Sequence, residues 1–293
     1  MTSRPDPENP FHRGQAVDRP KAGTRLSAAE IHDNVLGSAE SEVERATSSL
    51  LWSAIAAGLV ISFCFLATAF AAYAFPEPQH VRRFAMAAAY PVGFIFVVMG
   101  RSELFTENTL RPVVPLLHER SRDALRKLAR LWGLLLLGNM IGALVVSWLL
   151  ARTPAIDATL RPALDAVAEE ATRGSFNEVF YLGIYAGWLI ALLAWLLAST
   201  HNAVAQMALI WLTTACISAF GFRHSIAGAV EAFYRAFAGH ASWGDMVSGF
   251  VIPAVLGNAV GGVVLVALLN YAQVKRDKEV EEEKTNPTRH AHQ

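Results

Sequence analysis

Cysteine is nearly absent: among 293 residues only Cys64 and Cys216 are cysteines, and both lie inside apolar runs. That excludes a disulfide framework and a cysteine-rich metal site, and nothing points to an oxidising compartment. Charge is scarce as well. Only 17% of the residues are charged, and 25 basic against 25 acidic side chains leave no net charge, so whole-chain electrostatics say nothing about partners and the informative quantity is where the charges lie; no nucleic-acid partner is expected. No Gly-rich phosphate loop or nucleophile–base pairing rises above chance, and His201 and His240 have no partner at metal-ligand spacing. Neither an enzyme nor a bound cofactor is expected. The polar N-terminus mixes acids with bases and has no apolar segment before about Leu50, which argues against a cleaved secretory signal.

What the chain has in quantity is hydrophobic residues, 53% of the total, gathered into runs longer than a soluble core helix uses. This predicts an all-α polytopic membrane protein whose partner is the lipid bilayer, with no soluble enzyme domain left over. Residues 1–25, rich in Pro, Arg and polar side chains, predict a disordered tail. Residues 26–48 predict an amphipathic helix on the cytoplasmic face, because Ser27 and Glu30 form a capping-box signature ahead of a stripe of Leu26, Ile31, Val35, Leu36 and Val43. Residues 50–274 form the transmembrane unit, and 275–293, with Glu279 and the Glu281–Glu283 run, form a charged cytoplasmic tail.

Six apolar segments, at roughly 50–75, 84–117, 131–151, 179–199, 203–234 and 247–274, each reach the ~20 residues needed to cross a bilayer. The second and fifth are too long for straight lipid-facing helices. Near the middle of one stand Arg101, Glu103 and Glu107, and in the other Arg223 and His224. Charges at membrane depth are retained where they face a cavity, a pore or each other, so these segments are expected to be interrupted and to hold the functional site. Of the 25 Lys and Arg residues, 17 fall in the N-terminal segment, the 2–3 connection and the C-terminal tail, which places both termini in the cytoplasm.

Three landmarks recur. Ala57-Gly58 matches Ala186-Gly187, Gly100-Arg101-Ser102 matches the stretch from Gly221 to Ser225, and Gly138-Asn139-x-x-Gly142 matches Gly257-Asn258-x-x-Gly261. Two three-crossing halves, 50–151 and 179–274, thus form an inverted repeat, with the substrate site expected at the midplane between the interrupted helices. The Gly-Asn-x-x-Gly stretches have the spacing for close helix packing, which is the role assigned to Gly138, Asn139, Gly142, Gly257, Asn258 and Gly261.

These residues resemble the formate/nitrite transporter family. Glu103-Leu104-Phe105-Thr106 followed by Asn108 is similar to its E-L-F-T-G-N signature. Gly221 to Ala227 is similar to G-F-E-H-S-I-A, and Gly257-Asn258 with Gly261-Gly262 to G-N-I-I-G-G. The resemblance implies an aquaporin-like six-helix protomer, a homopentamer in the bacterial inner membrane, and a pore in each protomer for small monovalent anions. It also implies that Thr106 and His224 face one another at the narrowest point, with Leu104 and Phe105 in the apolar constriction. The chain departs from the family pattern at Glu107 and Gly228, where Gly and Asn are usual, at Arg223 in place of Glu, at Ala186-Gly187 in place of Cys-Asn, and at Arg101 in place of a small residue. In this it resembles a divergent, YfdC-like branch.

A small anion entering hydrocarbon loses hydration, which positive charge, oriented N–H groups or protonation offset. Arg101 and Arg223 are candidates for attracting the anion, and His224 for sharing a proton so that the weak acid crosses as a neutral species. Two readings stand beside this one. The pore could pass small neutral solutes, or the chain could be a non-conducting scaffold or sensor plugged by salt bridges from Arg101 and Arg223 to Glu103, Glu107 or Glu231.

Overall fold

The computed structural model describes residues 26–110, 113, 121–264 and 276. The tail expected over 1–25, the charged tail past residue 274 apart from Arg276, and most of 111–120 lie outside the described residues. Every regular element among the described residues is helical.

Helix α1 spans Ala28–Val43 and opens on a reciprocal cap: Glu30 N–H donates to Ser27 Oγ (3.3 Å) while Ser27 N–H donates to Glu30 Oε2 (2.7 Å). It is more than a surface helix, since Val35 and Ala39 are buried and Asn34 Nδ2 donates to the Ala198 carbonyl (3.2 Å).

Among the described residues, five helices are long and apolar enough to cross a membrane: α2 (Thr47–Ala74), α3 (Gln79–Met99), α4 (Arg122–Arg152), α6 (Phe176–Leu197) and α9 (Trp243–Gly262). At 28 residues α2 is about 42 Å long, more than the ~30 Å hydrocarbon core. It bends at Ile61, beside Ser62, whose Oγ donates to the Leu59 carbonyl (2.6 Å). In α3 the bend lies at Tyr90-Pro91, where proline removes a helical donor.

A shorter apolar helix, α7 (Ala203–Ala219), packs on α3 and ends where the chain breaks before α8 (Ser225–Ala238). The long fifth segment of the sequence is therefore two helices. Between α4 and α6 lies α5 (Arg161–Thr172), which buries Leu164, Val167 and Ala168 against α8 and α2. Its apolar spacing is visible in the chain, although the six apolar segments leave 152–178 between two of them.

Two helix pairs form the frame, α2 on α4 and α6 on α9. Glycine sets their distance. A Cβ at Gly58 would overlap the backbone of Asn139, and one at Gly142 the backbone around Ile55. In the second pair Gly187 meets the backbone of Asn258 in the same way, and Gly261 that of Ile184. Phe65, Phe94 and Tyr234 fill the interior, while Trp52, Phe70, Phe84, Tyr181 and Trp211 point outward, as suits an apolar surround.

Candidate functional site

Both breaks are built alike. After Met99 the chain leaves α3 with Arg101 N–H bonded to the Val98 carbonyl (3.1 Å) and Ser102 N–H to that of Val97 (3.0 Å); α7 ends with Gly221 N–H on Ser218 (3.1 Å) and Phe222 N–H on Ile217 (2.9 Å). Such an ending puts one residue in the left-handed region. That residue is Arg101 in the first break (φ 56°) and Gly221 in the second (φ 68°).

The asparagines hold these breaks. Asn139 Nδ2 donates to the carbonyls of Ala54 (2.8 Å) and Glu103 (3.0 Å), and its Oδ1 accepts from Phe105 N–H (2.8 Å). Asn258 Nδ2 donates to Gly183 (2.8 Å) and Arg223 (2.8 Å), and its Oδ1 accepts from Ser225 N–H (2.8 Å). Each side chain satisfies two backbone groups of a break and ties them to a carbonyl of a neighbouring helix, Ala54 in α2 or Gly183 in α6, so both asparagines clamp as well as pack, while the glycines beside them set the approach.

These bonds also correct the register read from the landmarks. Glu103 stands opposite Arg223, Leu104 opposite His224, and Arg101 opposite Gly221. The two arginines are not equivalents, because one occupies the turn and the other the extended segment after it.

Between the breaks Thr106 Oγ1 lies 2.8 Å from His224 Nε2, with both residues buried. His224 also caps α8: its Nδ1 accepts from Ala227 N–H (3.2 Å). The neutral ring therefore carries its proton on Nε2 and donates to Thr106, whose own hydroxyl proton is left to point elsewhere. Phe94 meets the imidazole edge-to-face at 4.9 Å. Leu104 and Phe105 are buried beside this contact, and Phe105 packs edge-to-face on Trp132 at 5.8 Å.

Two vestibules adjoin the breaks. One, of about 180 Å³, reaches His224 and is walled by Tyr90, Val167, Arg173, Arg223, Glu231 and Phe250. The other, of about 800 Å³, is walled by α1 residues together with Arg45, Arg101, Glu103, Glu107 and His201.

The charged residues separate by role. Glu103 is tied to the guanidinium of Arg45 and accepts from Asn108 Nδ2 (3.0 Å), while its N–H donates to Ser53 Oγ (3.0 Å). It thus pins the first break to the α1–α2 junction, a partnership that 58 residues of separation hid from the sequence. Arg101 is exposed, and its side chain makes no ion pair or hydrogen bond among the described residues. Arg223 donates through one terminal nitrogen to the Arg173 carbonyl (2.9 Å), and its Nε is buried without a partner. Neither arginine pairs with a carboxylate among the described residues, so the salt-bridge plug lacks its bridges. No group of His, Cys, Asp and Glu side chains among the described residues is arranged to hold a metal.

Comparison with known proteins agrees with this architecture. The family described as formate/nitrite transporter matches residues 29–272. The chain is 32% identical over 267 residues to the inner membrane protein YfdC of Escherichia coli, covering 90% of this chain and 84% of that one. It is 33% identical to the uncharacterized transporter YrhG of Bacillus subtilis, over 68% of this chain and 74% of that one. A pentameric formate channel with formate bound shares the fold at a TM-score of 0.65 and 24% identity, covering 78% of this chain and 97% of that one.

Proposed function

The chain belongs to the formate/nitrite transporter family, and from that premise we propose that it conducts small monovalent anions of weak acids, formate-like or nitrite-like, through a path in each protomer. Family membership supports anion transport or channel function at the coarse level. The finer reading has six crossings in two inverted halves, helices two and five interrupted, both termini in the cytoplasm of a bacterial inner-membrane protein, and a homopentamer like the formate channel whose fold it shares.

The observation that carries it is the buried Thr106–His224 contact, with one vestibule reaching His224 and another walled by residues of the first break. An anion arriving there meets the Thr106 hydroxyl and the imidazole N–H but no fixed full charge to replace its hydration, so the bare ion is strongly disfavoured. Protonation removes that penalty. The acid then crosses as a neutral hydrogen-bonding molecule that displaces the Thr106–His224 bond and makes equivalent bonds to both groups. Net uptake follows the proton gradient.

Proteoliposome uptake of formate, nitrite, acetate, lactate and hydrosulfide at two pH values tests this, with His224→Asn and His224→Phe compared. Asparagine keeps a cap for α8 while removing the ring from Thr106, so loss of uptake in both variants supports the central role. Unchanged uptake and pH dependence in both would end it. The neutral-solute reading is separated by stopped-flow swelling with glycerol or urea in the same vesicles.

A further inference from the structure

We propose that Glu231 is the proton donor of the smaller vestibule, handing its proton to an anion held at Arg223 before the acid meets His224. This rests on the weak-acid reading and names the group it lacks. His224 is a poor source of a transferable proton, since Nδ1 is committed to the Ala227 N–H and Nε2–H to Thr106. Glu231 has neither commitment. It is buried, lines the same vestibule and lies within the field of Arg223, and its carboxyl has no hydrogen bond or ion pair among the described residues.

Geometry aligns the parts. Glu231 lies seven residues beyond His224 on α8, two turns along the same face and about 10 Å away along the axis. Gly228 lies between them, with the Phe250 ring packed where its side chain would stand. Glu231, Gly228 and His224 all line the same vestibule. Arg223, at the same wall, has a buried Nε without a partner and only a carbonyl on its terminal nitrogen, so it can receive a carboxylate.

The groups around Glu231 come from every neighbour of α8. The break presents Arg223 and His224, α3 presents Tyr90 and Arg83, and α2 presents Cys64. The α5 side presents Glu170 and Arg173, while Asp165 is engaged by Tyr234 (2.8 Å). Between Leu131 and Ala151 α4 has no titratable residue, and the single acid of α9, Asp245, is exposed.

The step balances. The O–H bond of the Glu231 carboxyl breaks as one forms on the anion's oxygen, the neutral acid moves past His224 and Thr106, and the Glu231 carboxylate regains a proton from water of the vestibule.

Formate uptake into proteoliposomes under an imposed pH gradient, with a pH dye trapped inside, compares the wild type with Glu231→Gln and Glu231→Asp. The expected results are proton entry accompanying formate in the wild type, an initial rate at least about tenfold lower with a flat pH profile in Glu231→Gln, and a pH-dependent but slower Glu231→Asp. Wild-type rate and pH profile in Glu231→Gln overturn the proposal while leaving the weak-acid reading intact. Wild-type protein that takes up no formate refutes both. If Glu231→Gln fails to assemble, Glu231→Asp decides: a displaced pH profile supports the donor, an unmoved one refutes it.

Discussion

Replacing Asn139 by leucine tests the clamp directly, because leucine keeps the number and branching of side-chain heavy atoms in the α2–α4 contact while deleting all three hydrogen bonds. The change strips the Glu103 carbonyl and the Phe105 N–H of these partners and removes the tie to the Ala54 carbonyl of α2, at a fully buried position. In a water-soluble protein each orphaned group would cost about 1–3 kcal/mol; side-chain bonds inside membranes average nearer 0.6 and reach about 1.7 kcal/mol. Three bonds therefore place the loss at about 2–5 kcal/mol. With about 2–4 °C of melting temperature per kcal/mol for a chain of this size, the expected drop is roughly 4–20 °C in detergent, read by intrinsic tryptophan fluorescence. Asn258→Leu should lose a similar amount, since its three bonds repeat the pattern. If both variants melt within about 1 °C of wild type, the asparagines only pack and the account of the breaks is wrong.

Thr106→Val removes the acceptor of the His224 N–H and should slow formate uptake about tenfold or more, with Thr106→Ser retaining most of the rate; equal rates for valine and wild type would remove Thr106 from the path. Arg101→Gly relieves a left-handed backbone that costs a non-glycine residue about 1–2 kcal/mol. The variant should melt a few degrees higher, and at low ionic strength it should lose rate if the exposed guanidinium concentrates anions at the larger vestibule. A lower melting temperature would contradict the strain argument. Gly187→Ala places a Cβ into the backbone of Asn258 and should destabilise by about 1–3 kcal/mol, where an ordinary exposed helical Gly→Ala change would stabilise. Arg45→Ala unties Glu103 and should increase protease access at the α1–α2 junction; unchanged digestion would show that the ion pair does not hold the junction.

Much of the architecture is legible in the chain because membrane physics leaves strong marks. A run of about 20 apolar residues has few other uses, and the repeated Gly-Asn-x-x-Gly pattern shows which helices approach closely. Thr106 and His224 were nameable through motif resemblance, although 118 residues separate them. The register of the repeat was legible only to within a residue or so, because glycine recurs near both breaks and only the asparagine bonds choose among the alternatives. Helix α5 was legible in principle, from Leu164, Val167 and Ala168 at helical spacing, but a short half-polar helix looks like a loop beside 25-residue apolar runs.

Composition and patterning alone determined that this chain is a helical membrane protein with charge concentrated in two apolar segments, since hydrophobic length and buried charge are properties of local sequence. Which charge answers which was decided only by the tertiary structure. Glu103 takes Arg45 rather than Arg101, Arg223 takes a carbonyl rather than a carboxylate, and Glu231 is left facing the vestibule. Hydrogen bonds and ion pairs act over about 3 Å, and residues far apart in the chain reach that distance only when helices are packed, at separations here set by glycine.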